Sequence, residues 1–242
     1  MLRNRAYLNA LVRRLADPRL RGEAVQALAA YGTRIAGTLG DTLEDQSAAP
    51  AIRRQVPRVL RYVQDQSSVD VLLRSIAAPD LSVRAAALKA LNRLRETAPG
   101  LKYCSMFVTR QILSEARSYF ELSAALEPFR QEKNPRAAPS LLALSIEERL
   151  RQTLERLFQL LGLRYPPKEI YAAHLALQHK HLEDCAAALG FLENVLDRDL
   201  KRILLPLLDD AAQVTRRGRE LFGVQDKNAE ESIRLLIHSG DA

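Results

Sequence analysis

The sequence predicts an all-α protein built as a right-handed α-solenoid, in which pairs of helices stack on one another. Two observations carry this prediction. Apolar residues recur at helical spacing through most of the 242 residues, and one kind of segment returns at a nearly constant interval. Each helix pair in such an array can bury its apolar face only against its neighbours, so a repeat of this length favours a solenoid.

The first helix is predicted from four apolar residues that share one helical face: Leu8, Leu11, Val12 and Leu15. Residues 1–16 also contain four arginines and no acid, which is typical of an organelle transit peptide. The apolar face favours an ordinary helix, because the following Asp17 and Pro18 are typical of a cap and a first-turn proline.

Residues 1–100 are predicted to form three repeats. Three similar segments begin at Asp17 (DPRLRGEAVQALAAYG), Ser47 (SAAPAIRRQVPRVLRYV) and Pro79 (PDLSVRAAALKALNRL). Their equivalent arginines, Arg21, Arg53 and Arg84, are 32 and 31 residues apart. Another apolar-periodic stretch precedes each segment, at residues 8–15, 35–43 and 69–76. The repeating unit is therefore two helices and a turn.

The third segment contains an acidic residue and an arginine at its turn. Five apolar residues of this segment fall within one third of a helical circumference: Val83, Ala87, Ala90, Leu91 and Leu94. Asp80 precedes them as a predicted N-cap, and Arg84 follows one turn later, as Arg21 follows Asp17. We interpret Asp17, Arg21, Asp80 and Arg84 as architectural residues that hold the turns and bridge adjacent repeats.

Residues 101–140 lose the repeat and are predicted to form an irregular helical segment that bends the array. A long helix over residues 107–126 leads into EPFRQEKNPRAAPS at residues 127–140. The prolines and charges of this stretch predict the most exposed loop of the chain.

Residues 141–242 are predicted to resume the same continuous solenoid and to end in a cap. Ser145 and Glu148 form a capping-box pattern that begins a helix, and Gly162 is its predicted stop. Pro166-Pro167 begins a helix over residues 168–178, and CAAALGFLENVL from Cys185 repeats the AAALKAL pattern of the third segment. Two short helices are predicted at residues 199–208 and 228–237.

The net charge of +7 lies entirely in the N-terminal part. Residues 1–100 hold 16 Lys and Arg against 9 Asp and Glu, whereas residues 101–242 hold 20 of each. Such asymmetry is typical of a protein that meets an anionic partner. No stretch approaches the roughly 18 consecutive apolar residues of a membrane span, and the two cysteines lack CxxC spacing. We therefore expect a cytoplasmic protein.

The turns D-P-x-x-R and D-x-x-V-R, followed by A-x-x-A-L, resemble HEAT repeats, including the bilin-lyase-like HEAT group. A closer resemblance covers residues 5–210. The runs IRRQVPRVL (52–60), VRAAALKALNRLR (83–95), LERLFQLLGLRYPPKEIY (154–171) and AALGFLENVLDRDLKRILLPLLD (187–209) are similar to the cytosolic HEAT region that follows the membrane domain of bacterial ADP/ATP carrier-like nucleotide transporters. Cys185 departs from the pattern, because HEAT units usually carry an arginine there.

This resemblance implies a HEAT-type solenoid that scaffolds or regulates at the cytoplasmic face of the inner membrane. The chain would then be an excised part of a transporter-like protein, tethered to its membrane domain, or a stand-alone relative. No transport residue is carried over, because the chain contains none of that domain.

The sharpest candidate site is an arginine stripe on the second repeat. Five apolar residues of AIRRQVPRVLRYV share one side of a continuous helix: Ile52, Val56, Val59, Leu60 and Val63. Arg54, Arg58 and Arg61 lie nearly opposite and are predicted to point to solvent. Because second helices line the concave surface of a HEAT array, we expect the stripe to dock a protein partner or an acidic peptide segment. The alternatives are a merely solvated face, or binding of phosphate or nucleic acid.

Nucleic-acid binding is the weaker alternative. The chain has no Trp, and Tyr62 is the one ring near the stripe, which is little for stacking bases. HEAT-like DNA glycosylases resemble one another in placing aromatic residues and a carboxylate against the nucleotide. A glycosylase, or a lyase suggested by family association alone, therefore ranks third.

The sequence offers no pattern for a cofactor, a metal or a nucleophile, so we predict a non-catalytic protein. His174, His179 and His181 are spaced unsuitably for chelation, and we expect all three to be exposed. There is no GxSxG motif and no Gly-rich phosphate loop. Paired carboxylates such as Glu147-Glu148 and Asp209-Asp210 stand at predicted helix ends, where acids are routine.

Overall fold

A computed structural model describes residues 7–131, 140–179, 181–208 and 210–238 of the chain. These residues are 79% helical and contain no strand, which confirms the all-α prediction. None of their helices is both long enough and apolar enough to cross a lipid bilayer. The chain divides into two compact units, Met1–Cys104 and Ser105–Ala242.

The first unit consists of short helices in pairs. In chain order they are α1 (Leu8–Arg14), α2 (Arg21–Ala29), α3 (Ala36–Glu44), α4 (Pro50–Arg53), α5 (Val56–Leu60), α6 (Gln66–Ser75) and α7 (Leu81–Thr97), with a 3-10 turn at Gly32–Ile35 before α3. The three apolar-periodic stretches correspond to α1, α3 and α6, and the three repeated segments correspond to α2, α4 with α5, and α7.

The helices of the first unit form two rows. Helix α5 contacts both α2 and α7, so the second helices of the three pairs lie side by side. Helix α3 contacts α6 in the other row, and the rows are joined by contacts of α1 with α2, α3 with α5, and α6 with α7. The predicted inner face of α7 is buried throughout, at Val83, Ala87, Ala90, Leu91 and Leu94.

Two boundaries in the first unit differ from the prediction. Asp17 caps a turn before α2, because its Oδ1 accepts a hydrogen bond from the Arg19 amide at 2.9 Å, and α2 itself begins at Arg21. The second helix of the second repeat is also broken, between α4 and α5. Pro57 has no N–H and cannot donate to the carbonyl of Arg53, so the chain makes a tighter turn through Arg54 and Gln55.

The second unit begins with two long helices and continues with five shorter ones. They are α8 (Ser105–Gln131), α9 (Leu141–Arg164), α10 (Pro167–His179), α11 (Leu182–Val195), α12 (Arg198–Leu204), α13 (Ala211–Phe222) and α14 (Ala229–His238), with a 3-10 turn at Leu205–Leu208 after α12. Helix α8 packs mainly against α9, which in turn contacts α10, and α13 and α14 pack on α8.

The ends of α8 and α9 correct three predictions. Helix α8 continues through Pro128 to Gln131, so residues 127–131 are helical and not loop. The half-buried Phe129 packs against the core, which offsets the proline cost. Helix α9 begins at Leu141, four residues before Ser145, with Ser140 as its N-cap, so Ser145 lies inside the helix. Gly162 is buried inside α9, which ends at Arg164. Residues 132–139 of the predicted loop lie outside the described residues.

Helix α13 was not predicted. Its inner face includes Val214, Thr215 and Gly218, of which one alone is strongly apolar. Gly218 allows close approach to α8, because a Cβ atom at this position would stand 3.0 Å from the Cβ of Phe120. Phe120 is completely buried and its ring also contacts Phe222, at 5.6 Å between centroids. The packing of α13 on α8 therefore depends on its contacts with Phe120.

Two polar groups tie the helices of the second unit together. Arg156 of α9 and Glu115 of α8 form a buried ion pair, 3.1 Å from Nε to Oε2, and Thr153 accepts a second hydrogen bond from Arg156 at 2.9 Å. Near the end of α9, Arg164 donates to Asp197 and to Thr109. Tyr165 donates to the same carboxylate at 3.0 Å, so this cluster joins the start of α8, the end of α9 and the start of α12.

Candidate partner-binding surface

The predicted arginine stripe begins on the broken second helix of the second repeat. Of its three arginines, Arg58 alone is exposed, whereas Arg54 and Arg61 are half-buried. Arg58 lies on α5, and its Nη1 donates to the side-chain oxygen of Gln55 at 3.0 Å. The helix is interrupted between Arg53 and Val56, and the three arginines differ in exposure, so they do not form one uniform solvated stripe.

Arg54 is engaged within the fold. Its Nε lies 3.4 Å from Oδ2 of Asp80, whose side chain is 5% exposed against 38% for Arg54. The other oxygen of Asp80 accepts hydrogen bonds from the amides of Ser82 and Val83 at 2.9 and 3.2 Å, so Asp80 is the predicted N-cap of α7. The second and third repeats are thus bridged through Arg54 and Asp80.

Arg61 and Tyr62 form a surface pair beside Arg58. The guanidinium carbon of Arg61 stands 4.6 Å from the centre of the Tyr62 ring, and its Nη2 donates to the Tyr62 hydroxyl at 2.6 Å. The Tyr62 side chain is 54% exposed, which is high for a large apolar group. Arginine and tyrosine in contact are typical of protein interfaces, because both combine apolar area with hydrogen-bonding groups.

The architectural arginines reach back toward the turn before their own helix. Arg21 Nε donates to the carbonyl of Leu15 at 3.1 Å, and the equivalent Arg53 donates from Nη1 to Gln46 at 3.1 Å. Arg53 is buried. The backbone amide of Arg84 donates to the Asp80 carbonyl at 3.0 Å in the first turn of α7. The side-chain contacts of Arg21 and Arg53 hold their turns, whereas the bridge from the second repeat to the third uses Arg54, which was predicted to lie on the partner surface.

Two aspartates, Asp65 and Asp45, also stabilise turns between helices of the first unit. Asp65 caps α6 by accepting a hydrogen bond from the Ser67 amide at 2.9 Å. The hydroxyl and amide of Ser67 hold the pKa of Asp65 below its usual range. Ser47 lowers the pKa of Asp45 in the same way at the end of α3. Both carboxylates are therefore committed to turns and not to a ligand.

Exposed arginines without an acidic partner extend over the first unit. Among the residues that the structure describes, five exposed arginines of this unit form no ion pair: Arg13, Arg14, Arg19, Arg34 and Arg58. Three of the other arginines of this unit pair with carboxylates: Arg54 with Asp80, Arg74 with Glu44, and Arg93 with Glu96. The positive charge predicted from composition is therefore present as uncompensated guanidinium groups.

The prediction that all three histidines are exposed is wrong for His174. His179 and His181 are exposed, but His174 is buried on α10 with its ring 4.6 Å from that of Phe158. Burial lowers the pKa of His174, while Glu155 opposes this. Its Nε2 lies 3.0 Å from the Gln178 amide nitrogen and can accept a hydrogen bond from it when the ring is neutral. Within the described ranges, no three His, Cys, Asp or Glu side chains are grouped to hold a metal ion.

Comparison with known proteins does not assign the chain to a family. No family model, no curated protein and no solved structure matches this sequence.

Proposed function

We propose that the protein is a non-catalytic scaffold, a right-handed α-solenoid of HEAT-type helix pairs that binds a protein partner. The side-by-side arrangement of α2, α5 and α7 supports this assignment for the first unit, because stacked second helices are the defining contact of such arrays. The bridge from Arg54 to Asp80 supports it further, because it joins two consecutive helix pairs.

The observation that carries the binding proposal is the surface group of Arg58, Arg61 and Tyr62, in which Arg58 and Tyr62 are exposed and Arg61 is half-buried. In a HEAT-type array the row of second helices is the concave surface, and this group lies on the middle helix of that row, α5, and on the turn that follows it. An exposed tyrosine ring beside an arginine without an acidic partner fits an acidic or amphipathic segment of a protein. We do not include Arg54 in the proposed binding site, because its guanidinium is paired with Asp80.

Anion or nucleic-acid binding is the second candidate, and the five exposed arginines without an acidic partner favour it. Each phosphate contact would release counterions, so binding would weaken steeply as the salt concentration rises. Tyr62 is an exposed ring close to Arg58 in the chain, and it offers a stacking surface to a base.

We place this activity in the cytoplasm. If the chain belongs to a transporter-like protein, we place it at the cytoplasmic face of the inner membrane, with the transporter as its tether. The resemblance of residues 5–210 to the transporters' HEAT region supports this placement.

The test is capture of a partner from a bacterial lysate by immobilised protein at low and moderate salt. The variant is Arg58→Glu/Arg61→Glu, and its control is Arg19→Glu/Arg34→Glu, which changes the net charge equally. We expect one protein to be captured by wild type and control, to survive moderate salt, and to be lost from the variant. Nucleic acid that is released by salt and lost equally from both variants would establish the second candidate instead. Capture that is identical in all three proteins would refute both.

A further inference from the structure

A second arginine and tyrosine pair lies at the end of α7, in the first unit. The guanidinium carbon of Arg95, in the last turn of α7, stands 5.7 Å from the centre of the Tyr103 ring. The Tyr103 hydroxyl donates a hydrogen bond to the Leu91 carbonyl at 3.3 Å, which anchors the half-buried ring on α7. Lys102, the neighbour of Tyr103 in the chain, is exposed. We call Arg95, Lys102 and Tyr103 the α7 group.

Gln66 joins the α7 group to the surface group of Arg58, Arg61 and Tyr62, which we call the α5 group. The side-chain amide of Gln66 donates to the backbone carbonyl of Lys102, and its side-chain oxygen accepts from the Lys102 N–H, both at 2.9 Å. Gln66 is the first residue of α6, four residues after Tyr62. Because α5 also packs against α7, the two groups lie on adjoining turns of the first unit.

The carboxylates of these turns are engaged by residues outside the two groups. Asp65 caps α6, and Asp70 accepts a hydrogen bond from the Gln66 side chain at 2.9 Å. Glu96 forms an ion pair with Arg93 at 2.9 Å. The two groups together contribute three arginines and one lysine to the same turns. The adjoining turns therefore present a positive surface that suits an acidic partner.

The ring contacts hold an arginine of each group in place. Arg61 and Arg95 each contact the tyrosine ring of their own group. A side chain that is already ordered loses less conformational entropy on binding. Guanidinium groups recognise carboxylates through charge-assisted and often bidentate hydrogen bonds. Stacked bases would instead need open ring faces, and Tyr103 is half-buried. The two groups therefore favour an acidic protein segment over single-stranded nucleic acid.

We propose that the α5 and α7 groups form one two-part receptor for an acidic segment of the partner protein. The proposal rests on the protein-binding function proposed above for the α5 group and extends the surface to the third repeat. Packed helices lie about 8–10 Å apart, and an extended chain advances about 3.1–3.3 Å per residue. Acidic residues about three positions apart in an extended segment therefore reach both groups. The second contact is intramolecular, so the two groups bind more tightly together than either alone.

The probe is a fluorescent glycine-serine peptide that carries two pairs of glutamates three positions apart, and its control carries glutamines instead. We expect the full chain to bind the glutamate peptide at least about tenfold more tightly than the glutamine peptide, measured by fluorescence anisotropy at moderate salt. Equal binding of the two peptides would refute the receptor. Single-stranded oligodeoxythymidine is the third probe, and tighter binding of it than of the glutamate peptide would overturn the choice of an acidic segment.

Two variants test the α7 group. Lys102→Glu reverses an exposed charge and keeps the backbone bonds to Gln66, so we expect at least about tenfold weaker binding of the glutamate peptide. Arg19→Glu makes the same charge change before the start of α2 and should weaken binding by less than about twofold. Gln66→Ala releases Lys102 without changing the net charge, and we expect weaker binding than with the control Gln64→Ala, which changes an exposed residue of the same turn.

The α5 variant Arg58→Glu/Arg61→Glu separates this inference from the function on which it rests. Loss of peptide binding in this variant and in Lys102→Glu supports the two-part receptor. Loss in the α5 variant alone, with Lys102→Glu and Gln66→Ala binding as their controls do, would refute the α7 group and leave the proposed partner surface standing. Undiminished binding in the α5 variant would contradict both proposals.

Discussion

Asp80 performs two tasks with its two carboxylate oxygens. One oxygen caps α7 by accepting from the amides of Ser82 and Val83, and the other faces Arg54 of the preceding repeat. A cap and a bridge on one buried side chain couple the start of α7 to the position of the second repeat. The Asp-Arg pattern of the sequence therefore marks a joint between repeats.

We expect Asp80→Ala to lower the free energy of unfolding by about 1–2 kcal/mol, because it removes the cap and leaves Arg54 without its partner. Asp41→Ala is the control, since Asp41 is exposed on α3, and it should change stability by less than about 0.5 kcal/mol. Urea denaturation of both variants measures the difference. Equal stability of the two variants would show that the joint contributes nothing.

His174 gives the second unit a pH-dependent stability. Burial lowers its pKa in the folded state, so the unfolded chain, with a histidine pKa near about 6.5, binds the proton more readily. The stability of the fold therefore falls as the pH drops below that unfolded value, until the folded pKa is passed. Glu155 faces the ring and moderates the effect.

We expect His174→Phe to flatten the decline of unfolding free energy between pH 6.5 and pH 5, where one proton contributes at most about 1.4 kcal/mol per pH unit. Phenylalanine keeps the contact with Phe158 and cannot be protonated. The exposed His179→Phe should leave the wild-type slope unchanged. Denaturation at several pH values gives the three slopes, and a wild-type slope in His174→Phe would contradict this assignment.

At the scale of elements, periodicity located most helices but not their ends. The apolar face of α7 was predicted from spacing alone, and all five of its residues are buried. The start of α9 was misplaced because Ser145 and Glu148 imitate a capping box, whereas the hydroxyl of Ser145 bonds to the carbonyl of Leu141 inside the helix. Pro57 was visible in the sequence and was the signal for the break between α4 and α5.

Helix α13 shows an element that depends on its partner. We expect Gly218→Val to destabilise the second unit by about 1–3 kcal/mol, because a side chain there overlaps Phe120. Gly190→Val is the matched control, since a Cβ atom at Gly190 in α11 meets nothing within 4 Å. Thermal denaturation compares the two. If Gly218→Val loses no more stability than Gly190→Val, the loss reflects helix propensity alone and not overlap with Phe120.

At the scale of the molecule, the chain consists of two units, each with a buried core. The first unit is a set of short paired helices, and the second is organised around the long helices α8 and α9 and their buried pair of Glu115 and Arg156. The continuous solenoid expected for the whole chain stays a prediction. Units with separate cores are expected to unfold separately.

We expect Arg156→Leu to destabilise the second unit by about 3–5 kcal/mol, because it removes the guanidinium that neutralises the buried carboxylate of Glu115, 3.1 Å away in the wild type. Hydrogen exchange should then accelerate at residues 156–163 while residues 83–94 of the first unit keep their protection. The exposed Arg151→Leu serves as control. Loss of protection in both units together would show that they unfold as one.

The helical class, most helices and the cap at Asp80 were predictable from the sequence, because they depend on local spacing and on hydrogen bonds within a few residues. Tertiary structure decided which arginine is a joint and which is a surface group. Arg54 and Arg58 are one turn apart and chemically identical, and Asp80, 26 residues later, distinguishes them. It also decided that Gly218 forms a helix contact and that His174 is buried, because both depend on side chains from a neighbouring helix.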